Sequence, residues 1–426
     1  MAWARRRAQA RARQRYASGV ADEQLSAPGA SPARNRVIAA CCIAALPTII
    51  HVATQSIFGG TSTDIRLSLE ASSASMGVMA ASVGVFIMLV SPAAGAMVDR
   101  AGPRRTLVAA TIGYGMCCAW FALSGSVANS TASRITMGLF AAFLYPAVIS
   151  VLARLVPPER RQRAIGRMQL AIGLAGILGS LAATPVLASD SWRTVMAVPM
   201  VTAIPLGAVL WLVLAMPQLK GRRAMGGKAA PLTLRQVLAR AEIRTACVLA
   251  ISTGGIMIAL GGMLNATAAR IVWKLPEESW GSVNAAFYLG YAVGAPALAA
   301  LTRRIGQGRT LRGALVLLAV SLAAWIYVPL DAGAPAACAV TFGCGLGASA
   351  MSIAVTIAVR AVPPESAGVA SGITISAMTM SGMAIQVGSM ASTLVPGSTP
   401  LGRVQVCAAA VIAVVMMGWA AARRVA

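Results

Sequence analysis

The sequence predicts an all-α membrane protein: twelve transmembrane helices in two pseudo-symmetric six-helix bundles. Three observations predict it. First, hydrophobic residues make up 58% of the 426-residue chain and charged residues 11%. Soluble domains carry about 45–50% apolar and about 25% charged residues, so this chain could not cover itself with polar groups in water. Second, apolar runs long enough to cross a bilayer recur twelve times. Third, the two halves share loop sequences at a nearly constant offset. The composition excludes an ordinary soluble enzyme and a disordered chain.

The runs fall at 37–59, 76–98, 106–124, 131–153, 166–187 and 195–215, then at 244–268, 282–301, 310–330, 335–359, 368–394 and 401–422. Each is near the length of about 20 residues that a spanning helix needs. The chain therefore divides into a basic N-terminal tail (1–36), a first bundle (37–215), a linker (216–243), a second bundle (244–422) and a short C-terminus (423–426). The linker is basic and interrupted by Gly-Gly and Pro.

Lys and Arg set the orientation. An even number of spans places both termini on one side. That side holds thirty of the 36 basic residues, and the other holds Arg66, Arg193, Arg270, Lys274 and Arg403. Arg134 lies inside span four. Both termini are expected to be cytoplasmic. The excess of Arg over Lys, 33 to 3, suggests a bacterial source and hence the inner (plasma) membrane. The tail, MAWARRRAQARARQRY, is not followed by the apolar core of a secretory signal. Its charges suit an anionic lipid surface.

The net charge of +24 is spread in short clusters between apolar runs. It forms no basic face with interleaved aromatics, so no nucleic-acid partner is expected. The eight cysteines (41, 42, 117, 118, 247, 338, 344, 407) all lie in apolar runs, with no C-x-x-C pair and a single His in the chain. They read as small apolar helix residues. Neither a metal site, a disulfide framework nor a cofactor is expected.

The repeat is specific. Arg154-Leu-Val-Pro157-Pro158-Glu159, leading to Ala164 and Gly166, returns 206 residues later as Arg360-Ala-Val-Pro363-Pro364-Glu365, leading to Ala370 and Gly372. Asp99-Arg100-Ala-Gly102-Pro-Arg104-Arg105-Thr106-Leu107 returns more loosely, 204 residues later, as Arg303-Arg304-Ile-Gly306-Gln-Gly308-Arg309-Thr310-Leu311. Two such pairs in corresponding loops imply a duplicated six-helix unit, the architecture of transporters that rock two bundles about a midplane site.

With these motifs the chain resembles the major facilitator superfamily. Gly95-x-x-x-Asp99-Arg100-x-Gly102-x-Arg104 resembles that family's loop signature between spans two and three, and Arg134-x-x-x-Gly138 its second signature in span four. Ser191-Trp192-Arg193 and the Pro-Pro-Glu loops fit the same pattern. The chain departs from it where Pro103 replaces a basic residue, Met97 a Leu, and Arg303 the acid of the second copy. Span five, Gly173-Leu-Ala-Gly176-Ile-Leu-Gly179-Ser180, lacks the Gly-Pro of the family's proton-coupled drug antiporters.

Asp99 ends span two, where a carboxylate can meet a helix N-terminus and its unpaired N–H groups. Span eleven, starting near Ser366-Ala367-Gly368, is on the same side. The resemblance implies that this contact latches the cytoplasmic side shut. Gly95, Asp99, Arg100, Gly102, Arg104 and Gly368 are therefore gating candidates, Gly102 for the tight turn and the arginines for pairing with acids or lipid phosphate. Gly290-x-x-x-Gly294 and Gly368-x-x-x-Gly372 allow close backbone approach.

An ionisable residue inside a span is a functional candidate. None of the twelve acids lies mid-span. Arg134 is the one charge within a span, and the resemblance favours its pointing inward. His51 is near the centre of span one, with Gln55 one turn later on the same face. Tyr145, Asn284, Tyr288, Tyr291 and Gln386 complete the polar candidates for a substrate cavity.

The leading expectation is a secondary active transporter of a small neutral or anionic solute, such as an organic acid, working by alternating access. A proton could ride on the substrate's own carboxylate. The alternatives are a drug or metabolite efflux pump of the same superfamily and a transporter-like membrane sensor. An intramembrane enzyme is not expected, because no nucleophile–base pair or metal cluster is present. The expected partners are a small-molecule substrate and the lipid bilayer, with the monomer as the functional unit.

Overall fold

Every apolar run forms a helix, and most helices begin a few residues before their run. The computed structural model describes residues 31–182, 192–220, 232–265, 268–269, 273–276, 279–327, 333–391, 400–423 and 425. The first six helices are α1 (Ser31–Gly60), α2 (Ser73–Ala101), α3 (Pro103–Leu123), α4 (Val127–Leu155), α5 (Pro158–Ala182) and α6 (Trp192–Val213). The second six are α7 (Ala241–Ala259), α8 (Trp280–Ile305), α9 (Gln307–Tyr327), α10 (Gly333–Ala348 and Met351–Arg360), α11 (Ala367–Ala391) and α12 (Pro400–Ala422). Among the described residues, eleven are long and apolar enough to cross a membrane, and α12 is apolar over Val411–Ala422. Leu123, Val201 and Leu212 lie on the outer surface and are more than 70% exposed. Only a hydrocarbon surround makes that favourable.

Two boundaries differ from expectation for physical reasons. α5 starts at Pro158, eight residues before its apolar run. Its first turns carry Glu159, Arg160, Arg161 and Arg163, so hydropathy misses them. Proline at the helix start and an acid in the first turn nevertheless favour a helix there. The residues counted as the end of the tail, 31–36, belong to α1. In the linker, Pro217–Leu219 form a 3₁₀ turn and Leu234–Leu238 a short helix with a Thr233/Gln236 capping box. The tail's arginine cluster, the middle of the linker, Asp190, Ser191, Arg270, Glu277, Glu278 and Asp331 lie outside the described residues.

The internal repeat is visible in the turns. Gly102 joins α2 to α3 at φ 94°, and Gly306 joins α8 to α9 at φ 87°. Side chains with a Cβ rarely adopt that conformation. The packing repeats as well. Within the first bundle α2 packs on α4, α3 on α6 and α1 on α5; in the second, α8 packs on α10, α9 on α12 and α7 on α11. Two pseudo-equivalent seams join the bundles, α2 with α11 and α5 with α8. Gly368-x-x-x-Gly372 lies in the first seam, against Gly95 and Ser91. Gly290-x-x-x-Gly294 instead packs α8 onto α10 of its own bundle.

Candidate functional site

Between the bundles lies a cavity of about 250 Å³. It occupies the half of the molecule remote from Asp99 and reaches Ser62, just beyond α1. α1, α2, α4 and α5 form one wall, and α7, α8, α10 and α11 the other. The lining holds one arginine, Arg134, and no carboxylate among the described residues.

Arg134 is 1% exposed. Its Nε donates to the carbonyl of Met79 (2.8 Å) and its Nη2 to Oε1 of Gln55 (2.9 Å). The guanidinium lies over the Phe58 ring, 3.5 Å from the centroid, a contact worth about 2 kcal/mol when desolvated. Nη1 finds no hydrogen-bond partner among the described residues. One turn on, Gly138 lets α4 approach the backbone of α2 at Val83. Arg134 and Gly138 thus meet α2 at Met79 and Val83, four residues apart on both helices, as helical periodicity requires.

Gln55 is held in turn. Its Nε2 faces the Tyr114 hydroxyl at 3.5 Å, and that hydroxyl lies 3.1 Å from Nδ1 of His51. A polar chain therefore runs His51–Tyr114–Gln55–Arg134 across α1, α3 and α4. Deeper in the cavity, the Tyr145 hydroxyl is buried without a partner among the described residues. Tyr291 accepts a hydrogen bond from Gln169 Nε2 (2.5 Å). Gln386 donates to the carbonyl of Ile258 (3.0 Å).

α7 ends in a π-helical turn, Leu260–Leu264. Such a turn frees carbonyls from the helix ladder and recurs at functional sites. The carbonyl of Gly261 accepts from the Tyr288 hydroxyl (3.3 Å) and from Asn284 Nδ2 (3.4 Å). Of the cavity candidates read from sequence, His51, Gln55, Arg134, Tyr145, Tyr288, Tyr291 and Gln386 line the space. Asn284 stands outside the lining and is bonded to Ser180, Asn265 and Gly261.

At the opposite end the bundles meet tightly. Asp99 is 1% exposed, and its two oxygens accept from the backbone N–H groups of Gly368 (2.9 Å) and Val369 (2.8 Å) in the first turn of α11. Arg154 Nη2 lies 3.8 Å from the same carboxylate. A methyl group on Gly368 would collide with Asp99 and with the carbonyl of Gly95, so only glycine permits this approach. The structure brings Gly95, Asp99 and Gly368 together, and Gly102 makes the turn that follows α2. Arg100 is exposed. Arg104 is turned into the first bundle, where it donates to the Trp211 carbonyl (2.8 Å) and stacks on that indole at 3.8 Å.

The model of the Major Facilitator Superfamily matches residues 44–386. The chain belongs to this superfamily. Its curated relatives match over short stretches. The tetracenomycin C resistance and export protein of Streptomyces glaucescens is 35% identical over 96 residues, 22% of this chain and 16% of that protein. Multidrug resistance protein 2 of Bacillus subtilis is 30% identical over 111 residues, 26% of this chain and 28% of that protein. These stretches span less than a third of the relatives' length. The crystal structure of the human organic anion transporter MFSD10 (TETRAN) superposes with a TM-score of 0.72 at 15% identity, over 92% of this chain and all of that one. That likeness shows a shared fold. The protein is thus a multi-pass membrane protein of the superfamily.

Two residues of this superfamily member's cavity network escaped the sequence reading. Tyr114 lies in α3 and becomes relevant only through its contacts with α1. Gln169 carries a detectable signal, a polar amide within an apolar run, yet no motif includes it.

Proposed function

We propose that the chain is a secondary active transporter moving a small organic solute, anionic or neutral, across the bacterial inner membrane by alternating access. One observation carries the anionic preference. Among the described residues, Arg134 is the single charge lining the cavity, it faces no carboxylate there, and its Nη1 is unpartnered. An uncompensated buried cation is costly unless a ligand completes it. The asymmetry of the two ends supports alternating access: the cavity reaches one end while Asp99 fastens the other. With cytoplasmic termini, this is an outward-facing state. One chain supplies both walls, so the monomer suffices.

A second reading, efflux of drugs or metabolites, is favoured by the names of the curated relatives. Exchange of a proton for a cationic drug calls for a cavity carboxylate, and none lines the described wall. The test is flux into proteoliposomes of labelled succinate, lactate and benzoate, beside ethidium. The expected result is saturable flux of an acid, abolished by Arg134→Ala. Flux of ethidium with every acid excluded would overturn the anionic reading.

A further inference from the structure

The two walls of the cavity differ in charge and in methionine content. The first bundle contributes the guanidinium of Arg134, with His51, Gln55, Tyr145 and one methionine, Met76. The second contributes no charge among the described residues and four methionines, Met257 from α7, Met351 from α10, and Met378 and Met383 from α11, beside Tyr288, Tyr291, Thr379 and Gln386. Glycines make room for these thioethers. The sulfurs of Met351 and Met378 lie against Gly254, and Met383 crosses the seam to lie against Gly84 of α2. Methionine is unbranched and polarizable, so a surface of methionines adapts to ligands of different outline and makes favourable contacts with aromatic rings.

We propose that the substrate is an amphipathic organic anion, with an acid head on the free Nη1 of Arg134 and an apolar, ring-bearing body on the methionine wall. This deepens the function proposed above and rests on it. The head is fixed by one directional group, so its charge is discriminated strongly. The body meets a compliant surface, so its shape is discriminated weakly. The orientation also links binding to motion. A ligand whose head touches one bundle and whose body touches the other favours the state in which both walls reach it.

The experiment is calorimetric titration of the full chain in lipid nanodiscs with four probes: 2-naphthoate, the uncharged 2-naphthylmethanol, 2-naphthyltrimethylammonium and succinate. A charge-assisted hydrogen bond in a buried site predicts that naphthoate binds about ten- to a hundredfold more tightly than the alcohol. The ammonium and succinate bind more weakly still. Arg134→Gln erases the difference between naphthoate and the alcohol. Met378→Gln combined with Met383→Gln weakens both naphthyl ligands alike. The ranking on the unmodified chain decides by itself, so a variant that fails to fold does not spoil the test. Succinate binding as tightly as naphthoate overturns this inference while leaving an anion transporter in place. Equal binding of naphthoate and the alcohol overturns the head-group assignment. Preference for the ammonium overturns both readings. Acid flux in proteoliposomes without binding of any naphthyl probe overturns this inference alone.

Discussion

Arg134 joins a structural role seen in its contacts to the binding role proposed for it. Two of its N–H groups fasten α4 to α2 and α1 through Met79 and Gln55, and its face rests on Phe58. These contacts fix the guanidinium and leave Nη1 buried without a partner among the described residues. Gln55 is the positioning residue, since Tyr114 and His51 hold it from behind. Gln55→Leu leaves Nη2 buried without an acceptor, a penalty of about 1–3 kcal/mol. The expected outcome is a lower melting temperature together with about tenfold weaker binding of the anionic ligand. Thermal unfolding and titration of the same preparation check both. Unchanged affinity would show that Arg134 does not need this orientation. Arg134→Lys keeps the charge but not the planar fork, so it should retain weak flux where Arg134→Ala retains none.

Among the elements, α11 and α2 carry the closure. The first turn of α11 offers two N–H groups and the positive end of its dipole, and Asp99 meets both. Asp99→Asn removes the charge while keeping the shape. Hydrogen bonds to a charged group contribute about 1.5–3 kcal/mol, so the variant should favour opening at that end and slow turnover, with expression near normal. Unchanged turnover would remove the latch role. Gly368→Ala tests the same seam by bulk, since its methyl group would collide with the Asp99 carboxylate and the Gly95 carbonyl and should loosen the contact; a thermal shift with Asp99→Asn and Gly368→Ala combined shows whether the two act on one contact.

The elements also show what hydropathy can read. The apolar runs located all twelve helices, because burial in hydrocarbon leaves a local record in composition. They placed the start of α5 too late, because its charged first turns come before the apolar run while already helical. The Asp99 contact was legible because a loop motif and a helix N-terminus both leave sequence signals. Arg104 was grouped with that contact through the loop signature and its charge, and its stacking on Trp211 is a tertiary event that a motif does not encode.

At the scale of the whole molecule the duplication is close in backbone and broken in chemistry. The two seams are built from equivalent helices, and Gly102 and Gly306 repeat the same turn. Yet Asp99 closes one seam through charge-assisted hydrogen bonds, whereas at the other Gln162 donates to Thr302 across 3.1 Å. The loss of the acid at Arg303 was visible in sequence, and its consequence is an asymmetric closure. The cavity was only partly legible. His51, Gln55 and Arg134 stood out as polar residues in apolar runs, but Tyr114 and the methionine wall acquire meaning only once four or more helices are assembled. Methionines in membrane helices carry no pattern that separates a ligand-facing wall from ordinary packing.

In the alternating access proposed for this protein, the bundles rock so that the cavity opens at one end as it closes at the other. Pulsed spin-label distances in nanodiscs test it most directly, using a chain in which the eight cysteines are replaced. One label pair replaces exposed Arg105 and Arg304 near the Asp99 end, and the other replaces exposed Ala74 and Ser282 near the Arg134 end. Alternating access predicts two populations with opposed changes: Asp99→Asn lengthens the first distance and shortens the second. A single fixed distance at both ends, unaltered by Asp99→Asn and by 2-naphthoate, would contradict it.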